Sequence, residues 1–193
     1  MADFEKAIIK TLEHEGLYSV DPIDKGGETY KGIARRMHPN WAGWKIIDSY
    51  KTMSNFPKNT VSDPNLQKAV KSFYKDNFWD INFLDQMPSQ YVAEELFDTG
   101  VNMGTYRAAK FLQEALNVLN NNGKLYNDLS VDGKVGPNTI RAVNLCINNK
   151  GDSYLYKVLN ILQGSFYIDI IRRDPSQEKF AYGWLSRVEF KKL

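Results

Sequence analysis

Two groupings of carboxylates lie close together near the start of the chain: Glu15, and then Asp21, Asp24 and Glu28 with Thr29 beside them. A carboxylic acid kept protonated near neutral pH can donate a proton to a leaving oxygen. A second polar group opposite it can hold a water or steady developing positive charge. Cleavage of a glycosidic bond requires the first, and its hydrolysis benefits from the second. Upstream of Glu15, Phe4, Ile8 and Leu12 recur every four residues with Ala7 filling the stripe, which is the period of one helical face. With Asp3 as N-cap and Gly16 in the left-handed position past the end, that helix carries Glu15 in its last turn. Poor hydration beside the apolar stripe and the negative end of the helix dipole both push such a carboxyl's pKa upward. The plainer alternative is that Glu15 ends an amphipathic helix with its carboxylate in water.

The acids that follow sit in a segment that cannot be helical. Asp21 precedes Pro22, which favours extended backbone, Gly26-Gly27 signals a tight turn, and Gly32 breaks the run again. The pattern predicts a small irregular hairpin folded back beside the end of the first helix. It would set Asp24 or Thr29 across a cleft from Glu15. An ordinary solvated turn made of Asp and Gly is the other reading.

Glu15-Gly16-x-Tyr18, then Asp21-Pro22-x-Asp24-x-Gly26-Gly27-x-Thr29-x-x-Gly32-Ile33, resembles the N-terminal signature of the N-acetylmuramidases of glycoside hydrolase family 108. These are lysozyme-like enzymes of phages, prophages and bacterial export systems, also known as secretion activator proteins. The family pattern usually has a second glycine where this chain has Leu17, and often Asn where it has Tyr30. The resemblance implies Glu15 as the catalytic acid. The order of acid, hairpin Asp and following Thr is similar to that of phage-type lysozymes, with Asp24 and Thr29 as the partners of the acid. A second stretch, Phe97-Asp98-Thr99-Gly100-Val101-Asn102-Met103-Gly104, is followed by Ala108-Ala109, Leu112-Gln113 and Asp132-Gly133-Lys134-Val135-Gly136-Pro137-Asn138-Thr139. With Gly183-Trp184-Leu185-Ser186-Arg187-Val188 it resembles the region described as peptidoglycan-binding in the same family.

The elements that must position these residues read as almost wholly helical. Expected are a short turn of helix over Ile33 to Met37, stopped by Pro39, and a helix from Trp41 to Tyr50 with Asn40 as a cap. A surface loop from Met53 to Val61 comes before a helix opened by Asp63-Pro64 in the favoured cap-then-proline order and ended by Phe78-Trp79. Further helices are expected over Ser89 to Val101, Tyr106 to Leu119, Pro137 to about Asn148, Ser153 to Arg173 and Glu178 to Phe190. The class is mainly α, of the α+β lysozyme-like kind: a helical globule of two lobes with one small β-hairpin near the N-terminus. Residues 1–95 are read as the catalytic lobe and 96–190 as the peptidoglycan-binding lobe. No linker separates the two, so a single globule is expected.

Asp98 and Asn102 lie four apart, hence on one helical face, and could line a cleft; Asp98 could equally lock the two lobes as a satisfied structural carboxylate. Asp132-Gly133 and Gly136-Pro137 have a structural account as a turn and a helix start. Aromatic residues make up 13% of the chain, and flat rings pack on sugar faces. Tyr18 and Tyr30, flanking the hairpin, are the candidates for substrate binding, with Asp21, Asp98 and Asn102 beside them. Trp41, Trp44, Trp79 and Trp184 read as core.

A net charge of +2 is too weak to argue for nucleic acid and is compatible with an acidic wall polymer. The single cysteine, Cys146, cannot form an internal disulfide and sits in apolar patterning. His14 and His38 are too few and too far apart for a zinc site, and no cofactor is expected. No secretory signal or membrane span is visible, so the expectation is a protein made in the cytoplasm that reaches the wall through a holin-type lesion, an export system or lysis. A monomer is expected. The readings that compete with a muramidase are a non-catalytic wall-binding or secretion-accessory protein, and a lytic transglycosylase.

Overall fold

The computed structural model describes residues 1–13, 15–20 and 27–188. The chain divides into two compact units: residues 4–77, and residues 1–3 together with the chain from Phe78 on.

In the first unit, α1 (Phe4–Glu13) buries Phe4, Ala7, Ile8 and Thr11, the face its four-residue spacing predicts, while Leu12 is half-buried. Three short strands follow, β1 (Tyr18–Val20), β2 (Glu28–Tyr30) and β3 (Ile33–Ala34), antiparallel in the order β1-β2-β3. Tyr18 pairs with Tyr30, Ser19 with Thr29, and Tyr30 in turn with Ile33. The expected single hairpin is therefore a three-stranded sheet, and the expected helical turn at Ile33 is a strand. Lys31-Gly32 explains the difference. Both residues have positive φ, 42° and 76°, which is the two-residue turn whose twist matches paired strands. Five residues ahead of Pro39 could not stabilise a helix alone, whereas pairing with β2 satisfies the backbone at once.

Two helices complete this unit, α2 (Gly43–Tyr50) and α3 (Pro64–Tyr74). Asn40 does not cap α2, which has no side-chain cap bond and starts after Ala42. The Asp63-Pro64 start is realised: Asp63 accepts from the Leu66 N–H at 2.8 Å with Pro64 in the first turn. The loop before it contains a 3-10 turn over Lys58–Ser62, and α3 runs on as a single π turn over Lys75–Trp79. Trp44, Ile47, Leu66, Val70, Tyr30 and Ile33 form the buried interior.

The second unit is helical among its described residues. It contains α4 (Gln90–Met103), α5 (Thr105–Leu119), α6 (Pro137–Lys150), α7 (Ser153–Arg173) and α8 (Ala181–Leu185). α4, α5 and α7 pack on one another, and α6 closes against α5 and α7. Trp79, Phe97, Leu96, Leu112, Leu116 and Leu155 are each no more than 1% exposed. The starts follow the sequence: Ser89 accepts from Val92 N–H at 3.4 Å, and Pro137 opens α6 after Gly136. The loop Asp132-Gly133-Lys134 is tied down by buried Gln113, which accepts from Gly133 N–H at 2.8 Å and donates to Asp132 Oδ1 at 2.8 Å and Lys134 O at 3.0 Å. Gly133 is left-handed with the Tyr106 ring 2.3 Å from where a Cβ would stand, so the structural account of this motif holds.

The expected last helix is shorter. A 3-10 turn over Pro175–Phe180, capped by Asp174 through the Ser176 N–H at 3.1 Å, takes up its start, and α8 ends at Leu185. Residues 189–190 of that expectation lie outside the described residues.

Candidate active site

Glu15 stands after α1 rather than in it. The helix closes at Glu13, and Glu15 falls in a bend, half-buried. Gly16 is not left-handed. The cause is the sheet: the Leu17 carbonyl already accepts from the Lys31 N–H at 3.0 Å and β1 begins at Tyr18, so Glu15-Gly16 must turn the chain. Strand pairing, not helix capping, fixes where the acid is held.

What it is held against is Gly32. A Cβ on this glycine would stand 2.6 Å from Glu15 Oε2 and 2.6 Å from the Tyr74 hydroxyl oxygen. Only a residue without a side chain leaves room for the carboxyl and the phenol to crowd this turn, and Gly32 itself is exposed, so solvent and ligand can reach this corner. Tyr74, 2% exposed, donates its hydroxyl proton to the Lys31 carbonyl at 2.8 Å. Burial first, and the charge of Glu15 second, raise the Tyr74 pKa well above the ordinary phenol. Lys31 gives its Nζ to Gln67 at 2.6 Å, and burial lowers its pKa.

The register of β2 sorts the remaining candidates. Side chains alternate along a strand, so Glu28 and Tyr30 share one face and Thr29 leaves on the other. Tyr30 is fully buried, with its hydroxyl 3.1 Å from Thr60 Oγ1 and accepting from Gln67 at 3.3 Å. It offers no ring face to a sugar. Tyr18 is half-buried, packs edge-on to Phe56 at 4.6 Å and donates to Glu28 Oε1 at 3.0 Å.

Glu28 is the hub of that inner face. Arg35 reaches it at 2.6 Å and Lys51 at 2.7 Å, and both cations also pair with Asp48. Burial opposes the charge of Glu28, but hydrogen bonds from Lys51, Arg35 and Tyr18 outweigh it and hold the carboxyl below its ordinary value. Thr29 is half-buried on the opposite face, its hydroxyl 3.5 Å from the Gly27 carbonyl and thus weakly held. Asp21, Asp24 and His14 lie outside the described residues.

Asp98 and Asn102 belong to the other unit. Asn102 Nδ2 donates to the Asp98 carbonyl at 2.8 Å and to Asp98 Oδ1 at 3.2 Å. Asp98 pairs with Arg187 at 2.7 Å and accepts from Gln163 at 3.4 Å. Of the tryptophans read as core, Trp44 and Trp79 are buried; Trp41 and Trp184 are half-buried, Trp184 stacked on Tyr167 at 5.3 Å. Cys146 is buried, which raises its pKa.

Sequence reasoning saw Gly32 as a breaker and did not single out Tyr74; it missed both as neighbours of Glu15. The available signal was the glycine of Lys31-Gly32 between the β-prone residues Thr29-Tyr30 and Ile33, the mark of a two-residue hairpin.

A mainly helical fold with a small antiparallel sheet beside a carboxyl-bearing bend is the architecture of lysozyme-type glycoside hydrolases. Residues 8–104 match the family Glycosyl hydrolase 108, and residues 107–189 match a predicted peptidoglycan domain. The chain belongs to the glycosyl hydrolase 108 family, and it is a lysozyme-type hydrolase of peptidoglycan that acts at the cell wall. Among solved structures it is similar to the structure of Brucella abortus SagA, with 22% identity, a TM-score of 0.61, and 96% of this chain and 88% of that chain covered. At that identity the likeness carries the fold. No match is found among the curated proteins.

Proposed function

We propose that Glu15 is the general acid of an N-acetylmuramidase, protonating the oxygen that leaves N-acetylmuramic acid. The observation that carries this reading is the carboxyl over Gly32, half-buried against Tyr74 yet next to an exposed turn. Exposure of the turn admits a glycan strand to the carboxyl. Asp24 and Thr29 are its proposed partners, positioning water or steadying the oxocarbenium-like centre. The outward face of β2 and the weak hold on the Thr29 hydroxyl support its part.

Residues 1–95 are the proposed catalytic lobe and 96–190 the wall-binding lobe; the two family matches support two successive parts, with their boundary at residues 104–107. The Asp98–Arg187 pair favours a structural role for Asp98 over sugar contact. Access to the wall through a holin-type lesion or an export system, and a monomer as the acting form, complete the proposal.

Digestion of purified sacculi followed by mass spectrometry tests the reaction. Reducing muramic ends support hydrolysis; predominant 1,6-anhydro ends would make the enzyme a lytic transglycosylase. Glu15→Gln, run in parallel, is expected to yield neither product.

A further inference from the structure

We propose that a cavity at the C-terminal end of α5 is where the second unit takes hold of the peptide part of peptidoglycan, through a peptide that carries a free ammonium group. The inference rests on residues 107–189 binding the wall, and adds to that reading a place and a chemistry. The cavity has a volume of about 390 Å³ and is lined by Asn117, Asn120, Asn122, Gly123, Asn127 and Asp128, all of them in the second unit. That volume falls within the range of small-ligand pockets. The lining departs from the usual apolar one, because every side chain in it is an amide or a carboxylate.

The walls are fixed by the loop that follows α5. Asn117 donates to the Leu129 carbonyl at 2.9 Å and accepts from the Leu129 N–H at 2.7 Å. Asn120, 3% exposed, accepts from the Gly123 N–H at 3.1 Å and donates to Asp128 Oδ1. Tyr126 donates to the Leu116 carbonyl at 2.9 Å, a further tie between loop and helix. With Asn117 and Asn120 committed to the loop at both ends, the groups that face a ligand are Asn122, Asn127 and Asp128, all exposed. The amides of Asn122 and Asn127 each carry donors and an acceptor, and so match a peptide group in both directions. No ring stands among the lining residues to pack on a flat sugar face. Asp128 is the one charged residue among them, and the C-terminal end of α5 adds the negative end of a helix dipole. Both favour a cation in the cavity. Lys124, exposed in the same loop, is not part of the lining. A peptide rich in amides with an ammonium on a side chain meets each of these requirements; a glycan, neutral or anionic, does not.

Cosedimentation of the full-length Glu15→Gln protein with purified sacculi tests this without digesting them. Added to that protein, Asp128→Asn keeps an acceptor for Asn120 and removes the charge. It should weaken sacculus binding roughly tenfold, the size of one charge-assisted hydrogen bond. N-acetylation of the amines of the sacculi should weaken binding of the Glu15→Gln parent by the same factor, and weaken the Asp128→Asn variant no further. Asn122→Gly suits the left-handed backbone at φ 55°, and should weaken binding several-fold with melting unchanged. Binding that neither Asp128→Asn nor acetylation reduces overturns the inference and leaves a wall-binding lobe in place. A parent that does not sediment with sacculi at all removes the reading on which the inference rests. NMR of the unaltered protein needs no variant to fold. The free tetrapeptide released from sacculi, with the amine of its diamino acid unblocked, should shift the side-chain amide signals of Asn122 and Asn127, and its N-acetylated form should not. Equal shifts from both forms, shifts from the peptide-free disaccharide instead, or no shift from any of them overturns the inference.

Discussion

The two compact units hold their polar side chains for different purposes. In the second unit, polar groups secure architecture: buried Gln113 pins a loop with three hydrogen bonds, and half-buried Arg187 reaches Asp98 across the chain. These contacts decorate a frame that apolar burial from α4, α5 and α7 already supports. Among its described residues the first unit has three strands of two or three residues each, and they could not stand on pairing alone. Its sheet is clamped by charge through Glu28, Arg35, Asp48 and Lys51, and its turn by a phenol and a glutamine. A frame held by apolar burial keeps its geometry when a polar contact is lost, at a cost in stability, whereas a site positioned by single contacts loses its geometry with them. Glu15, the proposed acid, lies in the second kind of region.

The sharpest break of that contrast is Glu15→Gln. Loss of the proton donor should reduce wall lysis roughly a hundred- to ten-thousand-fold, with melting and sacculus binding unchanged. Turbidity loss of purified peptidoglycan measures it, and wild-type rates would remove Glu15 from the chemistry.

Gly32→Ala should come next. Its Cβ would meet the Glu15 carboxyl and the Tyr74 hydroxyl at 2.6 Å, on a backbone with φ of 76°. Displacing the acid by about an ångström is expected to cost on the order of a hundredfold in rate. The strained backbone adds about 1–3 kcal/mol of destabilisation. If the rate falls only as far as the folded fraction falls, the glycine is there for the turn and not for the acid.

Asp98→Ala probes the other unit. Arg187 and Gln163 lose their partner, at a cost of about 1–3 kcal/mol, read as a melting point lower by several degrees. Sacculus binding by the folded protein should stay as it was. Weaker binding with unchanged melting would instead make Asp98 a wall contact.

The smallest effect is a pH dependence. Glu28 has a folded-state pKa below its unfolded value, so it contributes stability that is present above the ordinary glutamate pKa of about 4.3 and lost as pH falls below it. Acid unfolding of the wild type should therefore include a component that Glu28→Gln lacks. Near neutral pH the variant should be less stable by about 1–2 kcal/mol. Parallel acid titrations followed by circular dichroism would show the two curves converging at low pH; curves that stay parallel would discount the clamp.

The sequence by itself determined α4 to α7 of the second unit. Ser89, Gly104, Pro137 and Gly151 mark starts and stops by backbone chemistry that acts within a turn or two of the chain, and the apolar spacing between them fixes the buried faces. It also pointed to Glu15, because a motif of residue types needs no knowledge of neighbours. What it could not supply was the environment of that acid. Tertiary structure made Ile33 a strand, turned Tyr30 into the core, took Glu15 out of the helix, and brought Tyr74 to it from α3, well along the chain. The physical reason is the same in each case. Local propensity governs hydrogen bonds a few residues apart, whereas strand pairing and the protonation of a half-buried carboxyl depend on groups that only folding brings within reach.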